Sequence, residues 1–240
     1  MMNIKKYVST LFLSGMIFSC CCGAEQTLPL LAQWDFTKGK LTSEDGKYAL
    51  NLRGNTALGK VKNKTMLRIG MSRKAEGAQF GKLNPELVPQ GALRYEFTLR
   101  MREPDSPNNM LVLFDSKYSF YKPSNHTGFA LLLIRSDKDR TQYRMTVFAG
   151  LASGKSTPFY CPKFITLSEN KEYTLAYEYD GKATFSFYLD GRKVGAQTRK
   201  GAGVLAPPKS YRGVIGDRHG SSYNHFQGDI LSVRIYGKKQ

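Results

Sequence analysis

Few residues in this chain have the type and spacing to do chemistry. His126, His219 and His225 are its three histidines, and imidazole is the side chain that titrates near neutral pH and ligates metals. His219 and His225 share the segment Gly216 to Gly228 with Asp217, yet six residues apart on a loop is no recognised ligand spacing, so no metal is assigned. Glu178 and Asp180 stand one residue apart, a candidate pair for acid/base work. Asp180 precedes Gly181 and is needed in a turn, so the pair reads as structural. Cys161, beside Pro162 and near Phe159 and Phe164, has no histidine close in sequence to stabilise a thiolate and reads as a packed small hydrophobe. No catalytic residue is assigned.

Two loops carry the remaining candidates. Ser116 to Thr127 and Asp217 to Phe226 gather Tyr118, Tyr121, His126, Arg218, His219, Tyr223 and His225 together with Asn125 and Asn224. Rings that stack on sugar faces, beside guanidinium and amide groups that bond hydroxyls or acids, are what a glycan site needs. These seven aromatic and basic residues are the expected ligand-binding set.

The elements that must position them read as strands. Tyr173, Leu175, Tyr177 and Tyr179 alternate with polar or small residues, as do Ala183, Phe185, Phe187 and Leu189, the period-2 pattern of half-buried strands. Asp180-Gly181 and Asp190-Gly191 follow these runs and predict two-residue hairpin turns, hence a three-stranded antiparallel meander. Leu93, Tyr95, Phe97, Leu99 and Met101 alternate without fault against Arg94, Glu96, Thr98, Arg100 and Arg102. Met110 to Asp115 and Gly128 to Arg135 are apolar on both faces, as inner strands are. Ala32, Trp34 and Phe36 open the chain as a strand, with Trp34 expected in the core. Tyr48 to Leu52, Leu67 to Ile69, Gln142 to Ala149 and Phe164 to Leu167 are further strand positions. Gly77 to Gly91 and Gly150 to Pro158 read as loops. No 3.6-residue stripe persists for three turns, so the fold class is all-β, a two-sheet antiparallel β-sandwich of jelly-roll type.

Composition agrees with one folded domain. The chain has 240 residues, 41% hydrophobic and 12% aromatic, too apolar to be disordered and suited to a single sandwich. Residues 1–24 have a positive start (Lys5, Lys6), a short apolar run and small residues, the layout of a secretory signal and not of a membrane span. Residues 25–240 are then the domain. Cleavage after Ala24 gives a secreted protein, extracellular or periplasmic. Ile17-Phe18-Ser19-Cys20 loosely resembles a bacterial lipobox, so lipidation of Cys20, anchoring the protein to the bacterial envelope, stays open as the alternative. Cysteines at 20, 21, 22 and 161 leave Cys161 alone after cleavage, which excludes a disulfide framework.

The formal net charge is +17. A field of that sign favours anionic partners such as sulfated or uronate polysaccharides, though the basic residues alternate along strands instead of forming a block, as a merely soluble surface would have them. Charge alone gives nucleic acid only a salt-sensitive, sequence-blind attraction, so no specific nucleic-acid partner is expected.

The closing half of the chain resembles a known family. YLDGRKVG, then VIGDRHG, then FQGDILSVRIY look like the end of a laminin-G-like (concanavalin A-like lectin/glucanase) jelly-roll domain, through Tyr188, Asp190, Gly191, Val194, Gly195, Ile215, Gly216, Phe226, Gly228, Ile230, Val233, Ile235 and Tyr236. The resemblance implies a concanavalin A-like sandwich whose first strand lies beside its last. It also implies that calcium is the ion to consider, but no Asp-rich loop stands out and no site is assigned. Glucanases of this fold carry E-x-D-x-x-E or a near variant, and Glu178-Tyr179-Asp180 has the first half only. Jelly-roll lyases resemble a different pattern, absent here. The expectation is a secreted, non-catalytic carbohydrate-binding (lectin-like) domain, its glycan acidic on the charge argument. A protein-binding adhesion or envelope scaffold module is the alternative, and a divergent glycoside hydrolase or polysaccharide lyase a second.

Overall fold

The computed structural model describes residues 28–70, 72, 74–102, 109–117, 126–209, 212–219 and 224–238. The leader at 1–24, and Tyr118, Tyr121 and Tyr223 of the expected binding set, lie outside the described residues.

Sixteen strands among the described residues form two antiparallel sheets. The first runs in the order β14 (Arg192–Thr198), β13 (Thr184–Leu189), β12 (Glu172–Asp180), β6 (Ala92–Met101), β16 (Gly228–Gly237), β4 (Lys64–Arg68) and β3 (Ala57–Val61). β1 (Leu30–Asp35) also pairs with β16, so the opening strand does lie beside the closing one. The second sheet runs β10 (Ser156–Tyr160), β9 (Gln142–Gly150), β8 (Phe129–Arg135), β7 (Met110–Asp115), β15 (Val214–Ile215), β5 (Ala78–Phe80) and β2 (Leu50–Leu52), with β11 (Ile165–Thr166) on β9.

The alternation seen in β6 and β12 becomes the interior. Leu93, Tyr95, Phe97, Leu99 and Met101 from β6, with Tyr173, Leu175, Tyr177 and Tyr179 from β12, are buried against the second sheet. Tyr95 meets Phe129 edge-on at 5.3 Å and Phe114 at 4.9 Å, the offset geometries that aromatic quadrupoles favour. Trp34 is fully buried, edge-on to Phe80, its Nε1 donating to the Tyr48 carbonyl at 3.1 Å. Cys161 is buried as well, and burial raises its thiol pKa. β7 and β8 sit mid-sheet, and their outward residues Val112, Ala130 and Leu132 form a second buried cluster with Phe148.

Three local expectations need correction. Asp190 and Gly191 do make a two-residue turn, both at positive φ (49° and 77°) between paired Leu189 and Arg192. The Asp180-Gly181 turn is longer: the last pair is Tyr179 with Phe185, and the Asp180 carboxylate accepts from the backbone N–H of Lys182, Ala183 and Thr184 at 2.8, 2.8 and 3.0 Å. The Gly77 to Gly91 segment is not all loop, because β5 is recruited between β15 and β2. The Gly150 to Pro158 segment likewise holds the start of β10, paired with β9.

Candidate functional site

The two candidate loops meet at one buried carboxylate. β15 pairs with the end of β7, Val214 opposite Asp115 and Ile215 opposite Phe114. Beyond that pairing, fully buried Asp115 accepts from the N–H of Lys117 at 2.7 Å and from the N–H of His219 at 2.9 Å. A carboxylate accepting two backbone donors from different segments holds both in register. The first loop is also closed at its neck, where the Ser116 hydroxyl accepts from the Phe129 N–H at 3.1 Å.

This brings Lys117, Arg218 and His219 together at one rim of the sandwich. His126 stands at the other end of its loop, its carbonyl packed against Gly150. His225, one of the expected binding set, is 6% exposed and bridges Val112 in parallel beside β7. Lys117, absent from the expected set, is buried beside Asp115. Its only sequence signal was its position two residues after an aspartate that ends an apolar run.

The rim is basic outside and acidic within. Burial lowers the His219 pKa, with Arg212 and Arg53 pushing the same way and Asp115 opposing. Burial lowers Lys117 to about 8, again against Asp115. Asp217 is fully buried, and burial raises its carboxyl to about 7. The N–H groups of Glu76 and Arg218 and the Arg53 charge pull it down, while the Glu76 carboxylate pushes it further up. Glu76 in turn accepts from the Asn55 N–H at 2.8 Å, the Thr56 hydroxyl at 3.0 Å and the Ser72 hydroxyl. Gly54 and Gly70 abut that carboxylate, where any Cβ would collide with it. Asp217 and Glu76 are therefore committed inward to stapling the turns after β2, β4 and β15, and Arg53 braces the outer edge by donating to the Arg218 carbonyl at 3.2 Å. Lys117 stays buried beside Asp115, so the groups this rim offers an anion are Arg53, Arg212 and Arg218.

A second feature lies on the outward face of the first sheet. Glu178, read as half of a carboxylate pair with Asp180, faces out and pairs with Arg94 at 3.0 Å, while Asp180 is spent on its turn. Arg94 also reaches Glu96 at 3.1 Å and lies 4.7 Å from the centre of the Tyr188 ring. These residues floor a groove of about 1040 Å³. Each was visible as the polar half of an alternating strand. Their meeting depends on β6 lying between β12 and β16, which local sequence does not specify.

With the sandwich, its strand order and this rim described, the chain belongs to the concanavalin A-like lectin/glucanase superfamily: a laminin-G-type family model matches residues 82–239, well over half of it. Compared by sequence with the curated proteins, the chain matches none. Among solved structures it is similar to the binding domain of botulinum neurotoxin DC in complex with SialylT, at TM-score 0.58 and 11% identity over 88% of this chain and 48% of that one. The same neurotoxin domain with rat synaptotagmin II gives 0.57 and 11% over 88% and 48%. Domain 4 of an extracellular arabinanase from Geobacillus stearothermophilus, in complex with arabinotriose, gives 0.54 and 14% over 88% and 94%. The chain thus spans about half the length of the neurotoxin binding domains and nearly all of the arabinanase domain. At these identities the likeness is one of fold.

Proposed function

We propose that this protein is a secreted, non-catalytic carbohydrate-binding domain whose rim, around Asp115, takes an acidic polysaccharide. The observation that carries the reading is the pair of bonds from Lys117 N–H and His219 N–H to the Asp115 carboxylate, which sets Lys117, Arg218 and His219 on one rim beside Arg53 and Arg212. Guanidinium groups match carboxylate and sulfate oxygens bidentately. Asp115, Asp217 and Glu76 are buried and spent on backbone and hydroxyl donors, which supports binding over acid/base work. Neighbours of the same fold solved with SialylT and arabinotriose support a saccharide ligand. Secretion rests on the layout of residues 1–24, and the mass of the mature N-terminus distinguishes cleavage after Ala24 from lipidation at Cys20.

Affinity electrophoresis through heparin, alginate and polygalacturonate tests the function. Retardation should be present at low salt, fade as ionic strength rises, and weaken in Arg218→Ala and Arg212→Ala. Free migration of the natural protein through all three acidic polymers at low salt would sink the proposal. A protein partner is the second reading, favoured by the neighbour solved with rat synaptotagmin II.

A further inference from the structure

The outward face of the first sheet carries a structure that the rim does not use. Arg234 on β16 donates to Glu96 on β6 at 2.8 Å; Glu96 accepts from Arg94 at 3.1 Å; Arg94 donates to Glu178 on β12 at 3.0 Å; and the Tyr188 hydroxyl on β13 donates to Glu178 at 3.2 Å. Five side chains thus form one continuous relay across four strands. Register makes this contiguous, since Arg234 lies opposite Glu96 and Arg94 opposite Glu178. Four of the five, Arg94, Glu96, Glu178 and Tyr188, line the groove of about 1040 Å³, together with the half-buried ring of Tyr236.

The groove has the dimensions of an oligomer site. Its lining spreads over three adjacent strands and both flanking turns, from Gly181 and Lys182 to Gly191 and Lys193, and reaches Tyr236 on β16. Its volume stands at the upper end of the range of about 300–1,000 Å³ usual for small-molecule pockets. Its charge is near balance: Arg94, Lys182, Lys193 and Lys238 face Glu96, Glu178 and Asp180. That balance contrasts with the basic rim and gives an acidic polymer no electrostatic preference for this face.

The chemistry of the floor identifies the occupant. A protein interface is depleted of charged residues at its core, whereas this floor consists of ion-paired groups fixed by one another. Held carboxylates present acceptors, held guanidiniums present donors, and tyrosines present a ring with a polar tip. Such an array suits a chain of uncharged hydroxylated rings. The Arg94 guanidinium bridges Glu96 and Glu178, so it occupies the space in which two carboxylates would have to flank a glycosidic bond to cleave it.

We infer that the groove over Arg94, Glu96, Glu178, Tyr188 and Tyr236 is a second binding site, for an uncharged oligosaccharide of several residues. It shares with the proposed function only the premise of saccharide binding, at a separate surface. The test is affinity electrophoresis of the full chain through arabinan, xylan, mixed-linkage β-glucan and galactomannan, comparing the natural protein with Tyr188→Ala, Tyr236→Ala and the rim variant Arg218→Ala. At least one neutral polymer should retard the natural protein and Arg218→Ala alike, with binding weakened about tenfold or more by either tyrosine change, as for loss of a central aromatic anchor. Hydrogen exchange gives a readout that needs no variant: the bound oligosaccharide should protect the β12–β13 hairpin, not the 212–219 segment. Free migration through all four neutral polymers overturns the inference and leaves the acidic-polymer rim standing. Retardation that both tyrosine variants retain, or protection confined to 212–219, overturns it also.

Discussion

The hydroxyl of Tyr177 on β12 donates to the backbone carbonyl of Leu132 on β8 at 3.0 Å, a hydrogen bond that crosses the interior from one sheet to the other. It lands where β7 carries its bulge, between the pairs Val112 with Leu132 and Phe114 with Leu131. Both residues are fully buried. A buried donor and acceptor that satisfy each other set the offset of the two layers as well as their spacing.

Removing that donor is the first prediction. Tyr177→Phe keeps the ring and removes a buried hydrogen bond between the sheets, so unfolding free energy should fall by about 0.5–1.5 kcal/mol. Urea titration should show a lower midpoint at unchanged slope, since the surface exposed on unfolding is the same.

Stability should also depend on pH through Asp217. Burial above all raises its folded pKa to about 7 from the ordinary carboxylate value of 3.8. Between those values the folded state holds a proton that the unfolded state has released. Stability from this group is therefore fully present below about pH 4 and declines as pH rises toward 7, above which it changes no further. Asp217→Asn costs an acceptor for the Glu76 or Arg218 N–H and so lowers stability throughout, but it should flatten the slope between pH 4 and 7. Denaturation midpoints at half-unit pH steps, natural against variant, measure that slope.

Asp229 concentrates three arginines. Its carboxylate is fully buried, paired with Arg100 at 2.5 Å, Arg68 at 3.1 Å and Arg102 at 3.5 Å. Arg68 and Arg100 are its direct cross-strand partners on β4 and β6. Asp229→Asn leaves guanidiniums crowded without a counter-charge and should cost about 3–5 kcal/mol, the scale of breaking a buried pair on one side. Arg68→Ala, removing the most exposed partner, should cost far less. Parallel thermal melts of the two variants decide it; equal losses would contradict this ranking.

Gly150 should not tolerate a side chain. A Cβ there would run into the His126 carbonyl and carbon and lie 2.6 Å from the Thr127 N–H, backbone that cannot rotate away. Gly150→Ala should lower stability by about 1–3 kcal/mol, as overpacking does. Amide exchange should quicken at Gly128, whose N–H bonds the Ala206 carbonyl beside this contact.

Much of this architecture was legible from residues alone, and the reason is period. β6 and β12 alternate so regularly that a slip of one residue would turn Tyr95, Phe97, Tyr177 and Tyr179 outward, so their faces were determined before any partner was known. Asp190 and Gly191 carry their own turn, because both accept positive φ. Short strands fared worse. β5 has three residues, and β3 is an edge strand with Gly59 and Lys60 in its middle; each is ordered by a neighbour, not by its own pattern.

The sites divide along the same line. Which residues were polar and outward, among them Arg94, Glu96 and Glu178, followed from alternation, and the gathering of Arg218 and His219 on one loop followed from their adjacency. That Asp115 would reach the His219 N–H across 104 positions, or that Arg234 would lie opposite Glu96 across 138, was decided only when distant strands paired. Side-chain periodicity is a property of consecutive residues, whereas strand order is set by how two apolar faces cover each other as whole layers, and no local stretch contains that information.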